Sequence, residues 1–240
     1  MKKALILGAL ILASFLGNTK ELSAETAASL ISKTRLLSRD PSDSGRVRFS
    51  NAQILDFLNE AQRDAIGATL CIRKQYSFDT SSGTRYYAMP TDFIAIDRLV
   101  HDDQAFEEKS PAKLDKASTE WETVTGTPIN FFVRFSSRTM VGFYPYPVTG
   151  TSTHTVTVDY FAQATEMTTA STPFNSITEL APFHQMLSFY AASSMLTIDG
   201  LNSTALYYFQ RYMAYRESFN NYCRARPTYM PSVNVASPGK

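Results

Sequence analysis

Residues 49–70 read FSNAQILDFLNEAQRDAIGATL, and the spacing within them sets the architecture of the chain. Ser50 is a favoured helix N-cap, and Gln53 three residues on completes a capping box. Ile54, Phe57, Leu58, Ala61 and Ala65 then recur at helical spacing, so one stripe of this helix is predicted to be buried. Upstream, TAASLISKTRLLSRD (26–40) predicts another helix, with Leu30, Ile31, Thr34, Leu37 and Ser38 near one face. Pro41 and Gly45 in the DPSDSG stretch separate the two.

Downstream, from Tyr76 to Phe161, the period changes to two. RYYAMPTDFIAIDRLV (85–100) reads as a strand, a corner at Pro90 and another strand. KSPAKLDKAS (109–118) predicts a short helix with Pro111 in its first turn. FFVRF alternates Phe131, Val133 and Phe135 against Phe132 and Arg134, and Met140, Val141, Gly142 and Phe143 lead into YPYP. HTVTVDYF alternates Val156, Val158 and Tyr160 against Thr155, Thr157 and Asp159, the pattern of a strand with one wet face. The middle of the chain is thus a β-rich unit of about four to six strands.

Helix returns after PFNSITELAPF, first from about Ala181 to Ile198, ending at Asp199-Gly200. A further helix is capped near Asn202 and runs to about Cys223. Along it Tyr208, Tyr212, Tyr215, Phe219 and Tyr222 fall at alternating spacings of four and three, which places them on one stripe, a helix seam. The end, RPTYMPSVNVASPGK, has three prolines and no period and reads as a flexible or extended tail. The expected fold is α+β: a helical bundle built from the N- and C-terminal helices, a β-rich insertion between them, and an extended C-terminal tail. The segments are helices at 24–70 and 180–224, an insertion at 76–162, and a tail at 226–240.

Composition narrows the function. The chain has 240 residues, 44% of them hydrophobic and 19% charged, which is globular and sufficient for a core. Its 13 Tyr and 16 Phe suit β-surfaces and protein contacts alike. With 23 basic and 22 acidic side chains the net charge is +1, so the basic excess of a tight duplex-DNA binder is missing. Cys71 and Cys223 are the only cysteines, and a single disulfide or two buried thiols are both open. His101, His154 and His184 lie far apart. His101-Asp102-Asp103 is the one local cluster that could invite a metal, and it reads as a solvated turn. Nothing places Asp159 and Glu166 across a cleft, and nucleophile elbow, phosphate loop and zinc-helix motifs are absent. Asn202-Ser203-Thr204 matches a glycosylation sequon but sits at an expected helix cap. The expectation is a non-enzyme, with no catalytic residues, no metal and no cofactor.

The opening, MKKALILGALILASFLGNTKELSAE, pairs Lys2 and Lys3 with an apolar run from Ala4 to Leu16, the grammar of a secretory signal. The run is short for a membrane span. Cleavage after Ala24 would put bulky Leu22 where a small residue is wanted, and no cysteine follows to anchor a lipid. The next methionine is Met89, so a later methionine start would remove the helices.

Taken in order, several phrases resemble the head-to-tail adaptor (connector) proteins of tailed bacteriophages. They are the helix with Asn59, Glu60 and Ala61; the corner of Tyr87, Pro90, Asp92, Phe93 and Ile94; Trp121; the turn of Thr125, Gly126 and Pro128 leading to Phe131; Tyr144, Pro145 and Pro147; Val158 and Tyr160; and the closing helical hairpin. The resemblance runs from about Ala24 to Arg224. It implies a virion protein, assembled in the host cytoplasm, that forms a ring of twelve subunits between the portal and the tail proteins. DNA would meet the ring only in transit, without sequence-specific binding, and no membrane is involved. It also makes Tyr229, Met230, Val233 and Val235 candidate anchors of a tail that docks on the portal or a neighbour. Residues 1–23 are the departure from the pattern and are read as a retained or misassigned extension. The alternative is an exported, periplasmic bacterial protein with a cleaved signal peptide and a β-rich binding module.

Overall fold

The computed structural model describes residues 25–40, 47–101, 104–147, 155–225 and 233–235. The extension at 1–23, the Asp102-Asp103 pair, His154, Tyr229 and Met230 lie outside the described residues. The fold is α+β. Its helices are α1 (Ala27–Ser38), α2 (Asn51–Thr69), α3 (Pro111–Ala117), α4 (His184–Ile198) and α5 (Asn202–Ala225). Its strands are β1 (Arg73–Asp79), β2 (Tyr86–Ala88), β3 (Phe93–His101), β4 (Gln104–Ala105), β5 (Glu107–Glu108), β6 (Asn130–Phe135), β7 (Thr139–Tyr144), β8 (Thr155–Ala162) and β9 (Val233–Val235). The described residues of 1–62 and 166–217 form one compact unit, and those of 63–165 and 218–240 form another.

In the first unit the capping box closes as its spacing predicts. The Gln53 N–H donates to Ser50 Oγ at 3.2 Å, and the Ser50 N–H donates to Gln53 Oε1 at 2.8 Å. Ile54, Leu58 and Ala61 of α2 are buried, as are Leu30 and Ile31 of α1 and Met186, Leu187, Ala191 and Met195 of α4. Ser188 of α4 donates to the Leu30 carbonyl at 3.3 Å, where α1 lies along α4. Two helix starts differ from expectation. Residues Thr178–Phe183 form a 3₁₀ turn containing Pro182, which has no N–H for an α ladder, so α4 begins at His184 rather than near Ala181. Asn202 is the first helical residue of α5 and not its cap.

A buried ion pair holds the exit of α1 to the entry of α2. Arg35 donates to Asp40 Oδ2 at 2.9 Å, to the Phe49 carbonyl at 2.8 Å and to Asn51 Oδ1 at 2.8 Å. Asp40, 1% exposed, also accepts from the N–H groups of Arg48 and Phe49. The Arg35 guanidinium nitrogens and both Asp40 carboxylate oxygens therefore have partners of opposite character, the condition under which a buried charge is tolerated.

The second unit contains two sheets, in the orders β4-β3-β8-β1-β9 and β2-β7-β6-β5. Alternation predicts four to six strands in the middle of the chain, whereas eight lie between Arg73 and Ala162. Two of them, β4 and β5, are only two residues long, too short to display a period. Val156, Val158 and Tyr160 of β8 are fully buried, as their alternation requires. The alternation in FFVRF does not hold: Phe131 and Phe132 are both buried and Phe135 is 76% exposed. Successive strand residues face opposite ways, so this end of β6 is covered on both faces. Part of the tail belongs to the larger sheet, since β9 pairs in parallel with β1 in the register Lys74–Val233 and Tyr76–Val235. His101 is not solvated. It is 5% exposed and stacks on Phe106 at 5.3 Å. Cys71 and Cys223 form a disulfide, with Cα atoms 5.4 Å apart.

Gly142 belongs to β7, and its missing side chain is what admits Phe132. A Cβ there would lie 2.4 Å from Phe132 Cζ, and Phe132 is itself fixed against Leu114 and Trp121. Gly142→Ala is expected to cost about 2 kcal/mol by overpacking, read as a lower urea midpoint with an unchanged slope.

Candidate functional site

Among the described residues no group of three or more His, Cys, Asp or Glu side chains could hold a metal ion. The residues singled out in the sequence instead form braces and packing surfaces. In the first unit, Asn59 clamps the backbone of Met167: its Nδ2 donates to the Met167 carbonyl at 3.2 Å and its Oδ1 accepts the Met167 N–H at 2.7 Å. One side chain thus satisfies both backbone groups of a residue 108 positions away.

In the second unit, the Tyr87 hydroxyl accepts from the Ser81 N–H at 2.8 Å and faces the carbonyls of Ser81 and Thr84, closing the turn before β2. Burial raises its pKa, and the contacts with Ser81 and Thr84 partly oppose that rise. Pro90 supplies the carbonyl that accepts the Phe93 N–H at 3.1 Å, turning the chain into β3. Trp121 donates from Nε1 to Asp115 at 2.7 Å and meets Phe132 and Tyr144 edge-on. Gly126 donates its N–H to the Tyr146 carbonyl at 3.0 Å, close to the cis Tyr144-Pro145 bond, and Pro128 is buried beside this turn. Arg85 lies over the rings of both Trp121 and Tyr146, at 5.2 and 4.8 Å. Tyr160 donates to Asp92, which also pairs with Lys74 at 2.5 Å; burial and the Asp92 carboxylate hold the Tyr160 hydroxyl well above the ordinary tyrosine range. These groups fix loop directions, and no nucleophile–base pair emerges from them.

On α5, Tyr212 and Phe219 are fully buried, whereas Tyr208, Tyr215 and Tyr222 are half-buried. Phe189 of α4 stacks on Tyr208 at 6.2 Å and meets Tyr215 at 5.5 Å, and Tyr190 meets Tyr212 edge-on at 5.1 Å. The outer face of the same hairpin is also apolar. Ile198, Leu201, Leu206, Tyr207, Phe209 and Met213 are between 37% and 65% exposed. A groove of about 530 Å³ lies between α4 and α5, floored by Ser193, Ser194 and Thr197. Single exposed apolar residues are normal, but Ile198, Leu206 and Phe209 line one groove together, and an apolar patch of that kind marks an interaction surface.

Residues 25–236 match the family described as SU10 adaptor protein. The chain belongs to the SU10 adaptor protein family. It is a phage adaptor, a structural protein. No curated protein matches it. No helix among the described residues is long and apolar enough to cross a membrane.

In this SU10 adaptor the inner stripe of α5 was legible from its aromatics, and the outer row was not singled out. The signal was there: Leu206, Phe209 and Met213 recur at steps of three and four. His184, one of three scattered histidines, carries no local signal of its role. It is fully buried against Phe174 at 5.7 Å, and neither ring nitrogen has a hydrogen-bond partner among the described residues. Burial pulls its pKa down to about 4, with Glu25 opposing the shift and Lys33 adding to it. The folded value lies below the unfolded one of about 6.5, so the unfolded chain binds the proton first as pH falls. The stability that a neutral His184 preserves is expected to be full well above pH 6.5 and to be lost as pH falls from 6.5 to 4, by about 3 kcal/mol at the lower end. Denaturant midpoints measured across that range check this, and His184→Leu is expected to flatten the profile.

Proposed function

We propose that this SU10 adaptor is a head-to-tail connector, a ring of twelve subunits that joins the portal to the tail proteins and lines the DNA passage. The observation that carries the reading is the family match over 25–236. Three features support it. The exposed apolar row on the α4–α5 hairpin suits repeated subunit contacts, because heterologous contacts around an axis close a ring. The net charge of +1 suits a wall that DNA must slide past, since a strongly basic wall would hold phosphates. The brace at Asn59 stiffens the first unit, and those at Tyr87, Trp121 and the Gly126–Pro145 corner stiffen the second, with 24–225 read as the adaptor domain and 76–162 as its β-rich part.

The ring has no catalytic role, works at the head–tail interface of the virion, and docks through the 226–240 tail. Tyr229, Met230, Val233 and Val235 are its apolar anchors, and the parallel pairing of β9 with β1 supports a tail that docks by strand addition. Deleting residues 227–240 is expected to abolish co-sedimentation with portal particles while leaving the fold intact by circular dichroism. Undiminished co-sedimentation would remove the tail from the interface. A second reading, an exported protein with a β-rich binding module, is favoured by the signal-like opening together with the Cys71–Cys223 disulfide, which oxidising compartments preserve.

A further inference from the structure

We propose that the tip of the β6–β7 hairpin, residues 134–138, is the surface through which this chain touches duplex DNA. The net charge of +1 conceals a local imbalance. No acidic residue falls between Glu122 and Asp159, while Arg134 and Arg138 stand at the tip. Every residue from Arg134 to Arg138 is exposed, and Phe135, set between the two arginines in sequence, is 76% exposed. Other cations of the same unit are matched by acids: Arg73 pairs with Asp97 and Lys74 with Asp92. Among the described residues neither Arg134 nor Arg138 forms an ion pair. Arg134 instead donates to the Tyr86 hydroxyl at 3.0 Å and lies over that ring at 5.4 Å, which holds its charge at the tip.

The tip is also held in shape. Phe135 pairs with Thr139 across the ladder, and the Ser136 N–H and hydroxyl both donate to the Arg138 carbonyl at 3.2 Å. Phe132 seated over Gly142 fixes the stem below it. Little ordering is left for a ligand to impose. A planar guanidinium donates two parallel N–H bonds to a phosphate, and the exposed Ser137 hydroxyl adds a further donor. Phe135 offers an apolar face to a sugar or base. Phosphate contacts carry no sequence information, and two of them release too few counterions to hold a duplex at high salt. The contact is therefore one that moving DNA can make and release. An anionic membrane is the poorer match, because even a myristoyl chain binds bilayers marginally and one phenylalanine carries less apolar surface. The inference rests on the connector reading, which brings duplex DNA to this protein, and names the part of the chain that meets it.

Fluorescence anisotropy of a short labelled duplex, titrated with the full chain between about 20 and 100 mM salt, tests this. Arg134→Ala with Arg138→Ala is expected to weaken binding at least tenfold at the lowest salt. The slope of log affinity against log salt should shrink by about 2. Arg138→Ala alone, at a side chain with no ion pair to lose, should shrink it by about 1 and serves should the double variant fold poorly. Phe135→Ala should weaken binding and leave the slope unchanged. Lys113→Ala with Lys116→Ala, which removes the same charge from exposed sites on α3, should change neither quantity. Two unrelated duplex sequences should bind alike. No binding by the wild type at the lowest salt, or an equal loss in the lysine variant, would overturn the proposal. So would tip-dependent binding to phosphatidylserine vesicles with none to the duplex, which would give the tip to a membrane. Tip-dependent DNA binding by a chain that forms no rings would remove the ring alone, and rings whose DNA affinity ignores the tip would remove this inference alone.

Discussion

Cys71→Ser, Cys223→Ser and the reduced wild type are all expected to unfold at markedly lower guanidinium than the oxidised protein. The disulfide joins residues 152 positions apart, from just beyond α2 to near the end of α5. Chain-entropy loss in the unfolded state scales with the logarithm of the closed loop, and a loop of this size gives a ceiling of about 5 kcal/mol. Both cysteines belong to the second unit, so the loss should fall on the β-rich part of the protein. Hydrogen exchange of β1 and β8 amides should accelerate in the serine variants, whereas amides of α1 should keep their protection. Equal midpoints for oxidised and reduced protein would show that the bond does not restrain the unfolded chain.

The second large effect is expected at Asp40. Asp40→Ala strands the Arg35 guanidinium, which is 7% exposed, and leaves the N–H groups of Arg48 and Phe49 without their acceptor. Removing one member of a buried pair typically costs roughly 3–5 kcal/mol, because the surviving charge remains desolvated. Arg35 also holds Phe49 and Asn51 at the entry of α2, so the variant should lose the fixed relation between α1 and α2 as well as stability. Replacing both residues, Arg35→Leu with Asp40→Leu, should recover a large part of the loss. Two single variants and the double variant, each unfolded in urea, measure the coupling directly. If Asp40→Ala alone changes stability by less than about 1 kcal/mol, the pair is wetter than its burial indicates.

Long elements with a clear period were legible in the sequence. The box at Ser50 and Gln53, the stripe of α2 and the alternation of β8 each place their side chains as local spacing requires. What escaped were contacts made between elements, whether near or far along the chain. The Asn59 clamp on Met167, the Arg35–Asp40 cluster and the room that Gly142 leaves for Phe132 are tertiary, and no local period announces them. Short strands such as β4 and β5 escaped for another reason, since two residues cannot show alternation. His101 was misjudged because a histidine beside two aspartates looks wet, whereas its ring is buried against Phe106. The groove on the α4–α5 hairpin depends on two helices meeting, so the steps of three and four at Leu206, Phe209 and Met213 do not by themselves reveal it.

Negative-stain imaging of the purified full chain, alone and mixed with portal particles, tests the connector reading most directly. Closed rings of uniform diameter, or rings seated on the portal's tail-facing end, are the expected result. Particles that remain monomeric at every concentration and leave the portal bare would contradict it.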